Sequence, residues 1–235
     1  MLIAFMTSNL FMACKTSGFI VTNEGKTIEG RFKVVKYEYP THSNEVALIL
    51  DMPLRNNPYM ASLQQKEILG SKDFYDLYHT VFFREKNGSR FREYFPEDIK
   101  AFSFEHKGQS YFFYSKSVIY NQWGREKANP YFLKLISKGE VALYQLHKKC
   151  MVESTYIDYF DFVVENREGD LVNVTLGREK LPFKDFLQDR VLMESEFVEQ
   201  LDARTDYNDI VWVVKRYNAW VLRRSHPSRS DVTNI

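Results

Sequence analysis

The chain has 235 residues, of which 44% are hydrophobic and 16% aromatic, so it can bury a substantial core and is not a disordered protein. Its 32 basic and 31 acidic side chains leave a formal net charge of +1, which excludes a strong overall attraction to nucleic acid or anionic lipid. The 15 Tyr and 19 Phe favour half-buried pleated surfaces, so the composition indicates a β-rich fold.

Residues 1–17 resemble an export signal or a lipoprotein segment. Residues 1–13 are uncharged and largely apolar, with the length of a signal-peptide core but too short to span a bilayer as a helix. The residues before Cys14 resemble a degenerate lipoprotein box, which would make Cys14 the lipid attachment residue. No Lys or Arg precedes the apolar run, and Phe11 stands where such boxes prefer Leu. The alternative is a buried N-terminal strand, with Cys14 an ordinary core residue and the protein in the cytoplasm.

Residues 18–180 are predicted to form an antiparallel β domain. Its first hairpin joins residues 18–22 to residues 26–35, and residues 46–50 are a candidate third strand. Residues 51–72 break the pattern with prolines and asparagines, which predicts an insertion on the surface.

Two further hairpins follow the insertion. Residues 78–84 and 90–95 flank an Asn-Gly turn, and residues 102–106 and 110–115 flank Gly108. Cross-strand aromatic pairs are expected between the last two strands, each contributing about 0.2–1 kcal/mol. Their members are Phe102, Phe104, Tyr111 and Phe113. Residues 118–129 are interpreted as a polar connection that contains Trp123.

The central feature is a hairpin over residues 131–144, in which Gly139 is expected to take a positive φ. Alternation predicts one shared core for Leu133, Leu135, Val141 and Leu143. A short helix ending at Gly139 is the alternative for so short a run.

A last hairpin joins residues 156–164 to residues 171–176. The five reversals predict roughly ten strands, too many for a flat open sheet, so a barrel-like closure or a sandwich is favoured. Their glycines are Gly25, Gly88, Gly108, Gly139 and Gly169.

Residues 181–223 change to a helical period. Apolar residues recur at three- and four-residue intervals after Pro182, which predicts one helix or two short helices. A second helix is predicted over residues 207–223, with Asp206 as its N-cap. No linker separates this part from the strands, so the helices should pack on the sheet. Residues 224–235 form a polar tail. The fold class is therefore α+β, mainly antiparallel β, with two C-terminal helices.

Several segments together resemble a group of uncharacterised exported proteins common in Bacteroidetes, and the resemblance covers most of residues 18–220. The segments are GFIVT at 18–22, EGKTIEG at 24–30, YFPEDIKAF at 94–102, FLKLISKG at 132–139, LY at 143–144 and YN at 217–218. The insertion at 51–72 and the incomplete signal segment depart from that pattern. The resemblance implies a location in the cell envelope and supplies no active-site residues.

Catalytic and metal-binding motifs are absent from the sequence. Cys14 and Cys150 match no metal-ligand spacing, the five histidines are scattered, and no nucleophile elbow, phosphate-binding loop or dinucleotide fingerprint occurs. No cofactor is predicted. Asp161 and Glu165 would share one side of a strand as a glycosidase pair requires, but a solvated strand face is the preferred interpretation.

Basic residues at the C-terminal end do not predict nucleic-acid binding, because no stacking motif accompanies Arg223 and Arg224. The candidate interaction residues are Trp123, Tyr217 and Asn218. For Tyr217 and Asn218, the alternative roles are packing and anchoring of the helix.

Three functions are weighed. The first is a non-catalytic envelope module that binds an envelope protein, a glycan or a membrane component, and touches the membrane only through a lipid anchor. The second is a hydrolase acting on surface polysaccharide or peptide, which needs paired acids in a cleft. The third is a structural, membrane-attached spacer. The first is the prediction carried forward.

Overall fold

The computed structural model describes residues 14–34, 77–106, 108–122, 125–152 and 155–225. Ten strands and four α-helices make up most of this part of the chain. The strands are β1 Cys14–Thr22, β2 Thr27–Val34, β3 Val81–Glu85, β4 Arg92–Tyr94, β5 Ile99–His106, β6 Gln109–Gln122, β7 Arg125–Ser137, β8 Ala142–Val152, β9 Thr155–Glu165 and β10 Leu171–Asn173. The helices are α1 Val174–Lys180, α2 Phe183–Asp189, α3 Ser195–Glu199 and α4 Ile210–Ser225, and a 3-10 turn at Tyr207–Asp209 precedes α4.

The strands form one antiparallel sheet in the order β10-β9-β8-β7-β6-β5-β1-β2-β3-β4. Every strand pairs with its neighbours in sequence except at one place, where β1 lies beside β5. This confirms the predicted α+β fold that is mainly antiparallel β. The sheet is not closed, and β4 and β10 are its edges within the described ranges. The barrel-like closure or sandwich favoured from the number of strands is therefore wrong: all ten strands form one open sheet, and strand number alone does not decide closure because open sheets of this size occur.

An aromatic core covers one side of β1, β2, β3, β5 and β6. Ile20 is opposite Phe102, and Phe102 is opposite Phe113, with 4.6 Å between the two stacked ring centroids. The Phe32 ring lies 4.9–5.7 Å from three phenylalanine rings on two other strands, Phe83 of β3 and Phe102 and Phe104 of β5. Phe104 also stacks on Tyr111, which confirms the cross-strand aromatic pairs predicted for this hairpin.

A second core lies between the helices and the far half of the sheet. Leu143, Phe162 and Val164 of β8 and β9 contribute to it, together with Val141 of the turn before β8. Helix α4 contributes the buried residues Ile210, Val213, Val214 and Tyr217. The C-terminal helices therefore pack on the sheet, as predicted. No helix in the described ranges is both long and apolar enough to cross a membrane.

The predicted cap at Asp206 is present. The Asp206 side chain accepts a hydrogen bond from the backbone N–H of Asn208, and the Asp209 side chain accepts one from the backbone N–H of Asp206. This capping box satisfies two amide groups at the start of the 3-10 turn that leads into α4.

The central hairpin is formed by β7 and β8, which excludes the alternative helix, but two details of its prediction are wrong. The four apolar residues do not share one core: Leu133 and Leu135 contact the aromatic core, whereas Val141 and Leu143 belong to the helical one. The reason is a bulge between Leu135 and Ser137, which places Tyr144, and not Leu143, opposite Leu135.

The second detail concerns the glycines of the turns. Gly25, Gly108 and Gly169 have φ values of 84°, 75° and 90°, as their turns require. Gly139 does not have a positive φ; instead, a Cβ atom at this position would collide with the side chain of Asn218, whose Nδ2 and Oδ1 would lie 2.7 Å away. Gly139 is therefore needed for close approach of α4 to the turn.

Two segments differ from their predicted structure. The proposed polar connection at 118–129 is mostly strand, because β6 and β7 pair as far as Gln122 and Arg125. Backbone ladder bonds do not require apolar side chains, so polar composition was misleading here. The strand predicted for 171–176 ends at Asn173, whose side chain accepts a hydrogen bond from the N–H of Leu176 and so begins α1. The predicted strand at 46–50 and the insertion at 51–72 lie outside the described residues.

Candidate functional site

A groove of about 680 Å³ opens on the side of the sheet opposite the aromatic core. It crosses β3, β2, β1, β5 and β6. Alternation along β1 explains its lining, because Ile20 points into the core and its neighbour Phe19 points the other way. Basic, acidic and aromatic side chains line it together; examples are Arg31, Arg84, Glu29, Glu105, Phe19 and Phe112.

Strand register arranges these side chains in two rows. In the first row, Ser17 of β1 is opposite Arg31 of β2, which is opposite Arg84 of β3. Residues directly opposite one another in an antiparallel sheet have side chains on the same face, so the three groups lie side by side.

The second row extends from β2 across β1 and β5 to β6. Phe19 of β1 lies between Glu29 of β2 and Ser103 of β5, and Ser103 is opposite Phe112 of β6. The groove therefore carries hydrogen-bonding and charged groups towards β3 and an aromatic ring at β6.

Two glycines, Gly18 and Gly30, face each other beneath the rows. A Cβ atom on Gly18 would meet the carbonyl oxygen of Ser103 and would lie 2.8 Å from Cα of Phe104. One on Gly30 would collide with the carbonyl oxygen of Arg84 and with the Phe83 ring. The absence of side chains lets adjacent strands approach closely and positions the floor of the groove.

Phe112 is the most exposed ring in the groove, with 40% of its surface accessible, while Phe19 is half-buried. Exposed aromatic rings on a concave surface are typical of ligand contacts. The lining has basic residues Arg31, Arg84 and Lys86 and acidic residues Glu29, Glu85 and Glu105, so its formal charges balance.

Those candidate site residues from the sequence that the structure describes lie outside the groove. Cys14 is the first residue of β1, opposite Val34. Trp123 lies outside the described residues. Tyr217 is 1% exposed and packs between the rings of Phe197 and Trp220, with centroids at 5.1 and 5.9 Å.

Asn218 joins α4 to the central hairpin. Its Oδ1 accepts a hydrogen bond from the backbone N–H of Val141 at 3.1 Å, and its Nδ2 donates to the carbonyl oxygen of Val141 at 2.9 Å. The side chain thus pairs with the hairpin backbone as another strand would. Neither Tyr217 nor Asn218 lines the groove.

Replacing Asn218 with Ala is expected to lower the free energy of unfolding by about 1–3 kcal/mol, because the backbone N–H and C=O of the buried Val141 both lose their partner. Urea denaturation measures this loss. Lys215→Ala, at an exposed position of the same helix, is the control and should change the value by less than about 0.5 kcal/mol. An Asn218→Ala variant as stable as the control would show that the two bonds contribute nothing.

The acidic pair of β9 has structural partners. Asp161 is 3% exposed and accepts hydrogen bonds from Asn173 and Thr175, at 3.0 and 2.8 Å. The interpretation of Asp161 as part of a solvated strand face is therefore wrong. A buried carboxylate must be hydrogen-bonded, and these donors tie the start of α1 to the sheet.

Glu165 is also held by its neighbours. It accepts hydrogen bonds from Lys116 at 2.9 Å and from Tyr144 at 2.6 Å. Burial opposes ionisation of Glu165, but the hydrogen bonds from Lys116 and Tyr144 and the charges of Lys116 and Lys138 together lower the pKa of the carboxyl. Burial and the neighbouring Glu165 raise the pKa of Tyr144. Neither Asp161 nor Glu165 lines the groove.

A buried lysine was missed by the sequence analysis. Lys134 of β7 is 7% exposed and lies between Phe113 and Gln145 on the neighbouring strands. Its Nζ is 5.1 Å from the centroid of the Tyr111 ring, and burial lowers the pKa of the amine to about 8. Gln145 is fully buried; its Oε1 accepts from Tyr78, and its Nε2 has no hydrogen-bond partner in the described part of the chain.

Other chemistry gains little support. Among the described side chains, no three His, Cys, Asp or Glu residues are grouped as metal ligands. Arg224 forms ion pairs with Glu194 and Glu196 at 3.1 and 2.8 Å and lies over the Trp220 ring. These contacts join α4 to the start of α3.

Comparison of the chain with known proteins gives no match, whether with family models, with curated proteins or with solved structures. The resemblance to exported Bacteroidetes proteins therefore stays a prediction.

Proposed function

We propose that the protein is a non-catalytic binding module of the bacterial cell envelope whose groove holds a sugar chain. The observation that carries this proposal is the groove itself, in which the exposed Phe112 ring shares one concave surface with hydroxyl and charged groups. Sugar rings have apolar C–H faces that pack on aromatic rings, and their hydroxyl groups bond to Ser, Arg and Glu side chains.

The dimensions of the groove favour an extended ligand. Adjacent strands in a sheet are about 4.8 Å apart, so the four steps from β3 to β6 cover about 19 Å. A groove of this length matches several consecutive units of a chain better than one small metabolite. Because its formal charges balance, the net charge of the groove does not select the ligand, and individual hydrogen bonds, charged contacts and ring packing must do so.

Two sequence features support an envelope location for this module. One is the apolar run at 1–13, which resembles an export signal, and the other is the resemblance to exported Bacteroidetes proteins. Sugar polymers are abundant in that compartment.

Phe112→Ser is expected to weaken binding of the recognised polysaccharide about tenfold or more, because the variant removes the exposed ring that the ligand covers. An array of purified bacterial surface polysaccharides identifies the ligand, and calorimetry with the protein and its variants measures affinity. Ile119→Ser is the matched control, since Ile119 is on the same strand, is 50% exposed and lies outside the groove.

The proposal fails if no polysaccharide binds, or if the folded Phe112→Ser variant binds as tightly as the Ile119→Ser control. Release of shortened sugar chains during incubation would instead favour the hydrolase. Binding of peptides but not of sugars would indicate that the groove recognises proteins.

A further inference from the structure

We infer that the groove selects sugar chains that carry acidic groups, and that Arg31 and Arg84 bind the acid. This inference rests on the proposed sugar-binding function and narrows its ligand. It starts from a feature that packing does not explain: two arginines lie directly opposite each other on β2 and β3, and both line the groove.

Like charges directly opposite each other destabilise a sheet. Carboxylates normally neutralise such a pair, yet neither guanidinium has a hydrogen bond or ion pair with an acid elsewhere in the described ranges. Arg84 instead lies over the Phe91 ring, 5.2 Å from its centroid. That ring supports the flat face of the guanidinium and leaves its N–H edge free to donate.

The neighbouring groups complete a row of donors. Ser17 is opposite Arg31 on the other side, so a hydroxyl and two guanidinium groups follow one another across β1, β2 and β3. A guanidinium binds a carboxylate or sulfate through two parallel N–H···O bonds, and such charge-assisted bonds are about twice as strong as neutral ones. An anionic substituent between the arginines would also remove their mutual repulsion.

The arginines proposed to bind the acidic group and the ring proposed to pack on a sugar lie on different strands of the sheet. Arg84 is on β3 and Phe112 is on β6, about 19 Å away by strand spacing. One sugar unit cannot reach both. We therefore expect affinity to rise with chain length until the ligand covers this distance.

The experiment measures binding of oligogalacturonates of increasing length by calorimetry. Their methyl esters provide uncharged ligands of the same size, and heparin oligosaccharides provide sulfate in place of carboxylate. The expected result is affinity that rises with length and that falls about tenfold or more for the methyl esters. Comparison of galacturonate with heparin shows which acid is preferred.

The affinity of the variant Arg31→Gln/Arg84→Gln for acidic chains should fall by the same factor, and its affinity for the methyl esters should equal that of the wild type. Lys33→Gln is the control, because this exposed lysine is also on β2 but is not among the groove residues. Removal of like charges should not lower the thermal unfolding temperature, so loss of binding cannot be attributed to loss of fold.

Methyl esters that bind as tightly as the acids, with binding still dependent on Phe112, would overturn this inference and leave the proposed function intact. Retention of acidic-chain affinity by the folded double variant would also overturn it. Absence of binding by every sugar chain, acidic or neutral, would overturn both.

Discussion

Lys134→Met is expected to raise the free energy of unfolding by about 2 kcal/mol at pH 7. Burial lowers the pKa of Lys134 from its ordinary value of 10.5 to about 8, so the folded protein holds an ammonium group in a place that disfavours charge. A shift of this size corresponds to about 3 kcal/mol of destabilisation. Met has similar length and no charge, and it loses only the contact between Nζ and the Tyr111 ring, worth about 1 kcal/mol.

The gain should depend on pH in a defined window. The folded-state pKa of Lys134 lies below the unfolded value, so between about pH 8 and 10.5 the unfolded chain binds more protons. Wild-type stability therefore gains from this group as pH rises through the window, and the advantage of Lys134→Met disappears by its upper end. Below pH 8 the advantage is constant.

Urea denaturation of both proteins from pH 7 to 10.5 measures this difference. Lys127→Met is the control, because Lys127 is an exposed residue of the same strand and its replacement should change the free energy of unfolding by less than about 0.5 kcal/mol. A Lys134→Met variant that is less stable than wild type at pH 7, or whose advantage persists at pH 10.5, would contradict the account of a buried charge.

Gly18→Ala should lower the free energy of unfolding by about 3 kcal/mol. The new methyl group would collide with the carbonyl oxygen of Ser103 and lie 2.8 Å from Cα of Phe104, so the backbone of β5 must move. Overpacking against side chains typically costs about 1–3 kcal/mol, and backbone cannot rotate away as a side chain can. The damaged contact is the pairing of β1 with β5, which joins the two halves of the sheet.

Gly88→Ala provides the comparison. Gly88 has no positive φ, and the nearest atom to its added Cβ would be 3.3 Å away, so we expect a loss below about 1 kcal/mol. Thermal and urea unfolding of both variants measure the difference. Equal stability of the two would mean that β1 and β5 can separate at Gly18 without loss.

Much of the fold could be predicted because its signals are local. Glycines with positive φ marked three of the turns, and alternation of apolar residues marked most strands. The capping residue Asp206 marked the start of the last helical segment. All but one of the strand pairings join neighbours in sequence, so turns alone define most of the sheet.

The remaining features depend on contacts between distant residues. The bulge after Leu135 changes which side of β8 faces each core, and no local pattern encodes it. Gly139 has the sequence appearance of a turn glycine, yet its role comes from Asn218, far along the chain. Lys134 lies between two leucines and would be placed in solvent by alternation, but the strand is buried on both faces.

The groove was not predicted for the same reason. Its residues come from five strands, and the meeting of β1 with β5 brings Phe19 next to Ser103. The residues that stand out in the sequence, Trp123, Tyr217 and Asn218, belong to other parts of the chain. Facing glycines such as Gly18 and Gly30 are the signal that could have indicated a close strand approach, but only once the register was known.

The short edge strands bear on how this protein avoids aggregation. An open sheet offers unpaired N–H and C=O groups at both edges, which can recruit strands from other molecules. Here β4 and β10 each have three residues, β4 carries the exposed charges of Arg92 and Glu93, and β10 passes directly into α1. A foreign strand that adds to β4 or β10 would therefore gain few hydrogen bonds, although β10 covers only residues 163–165 of β9.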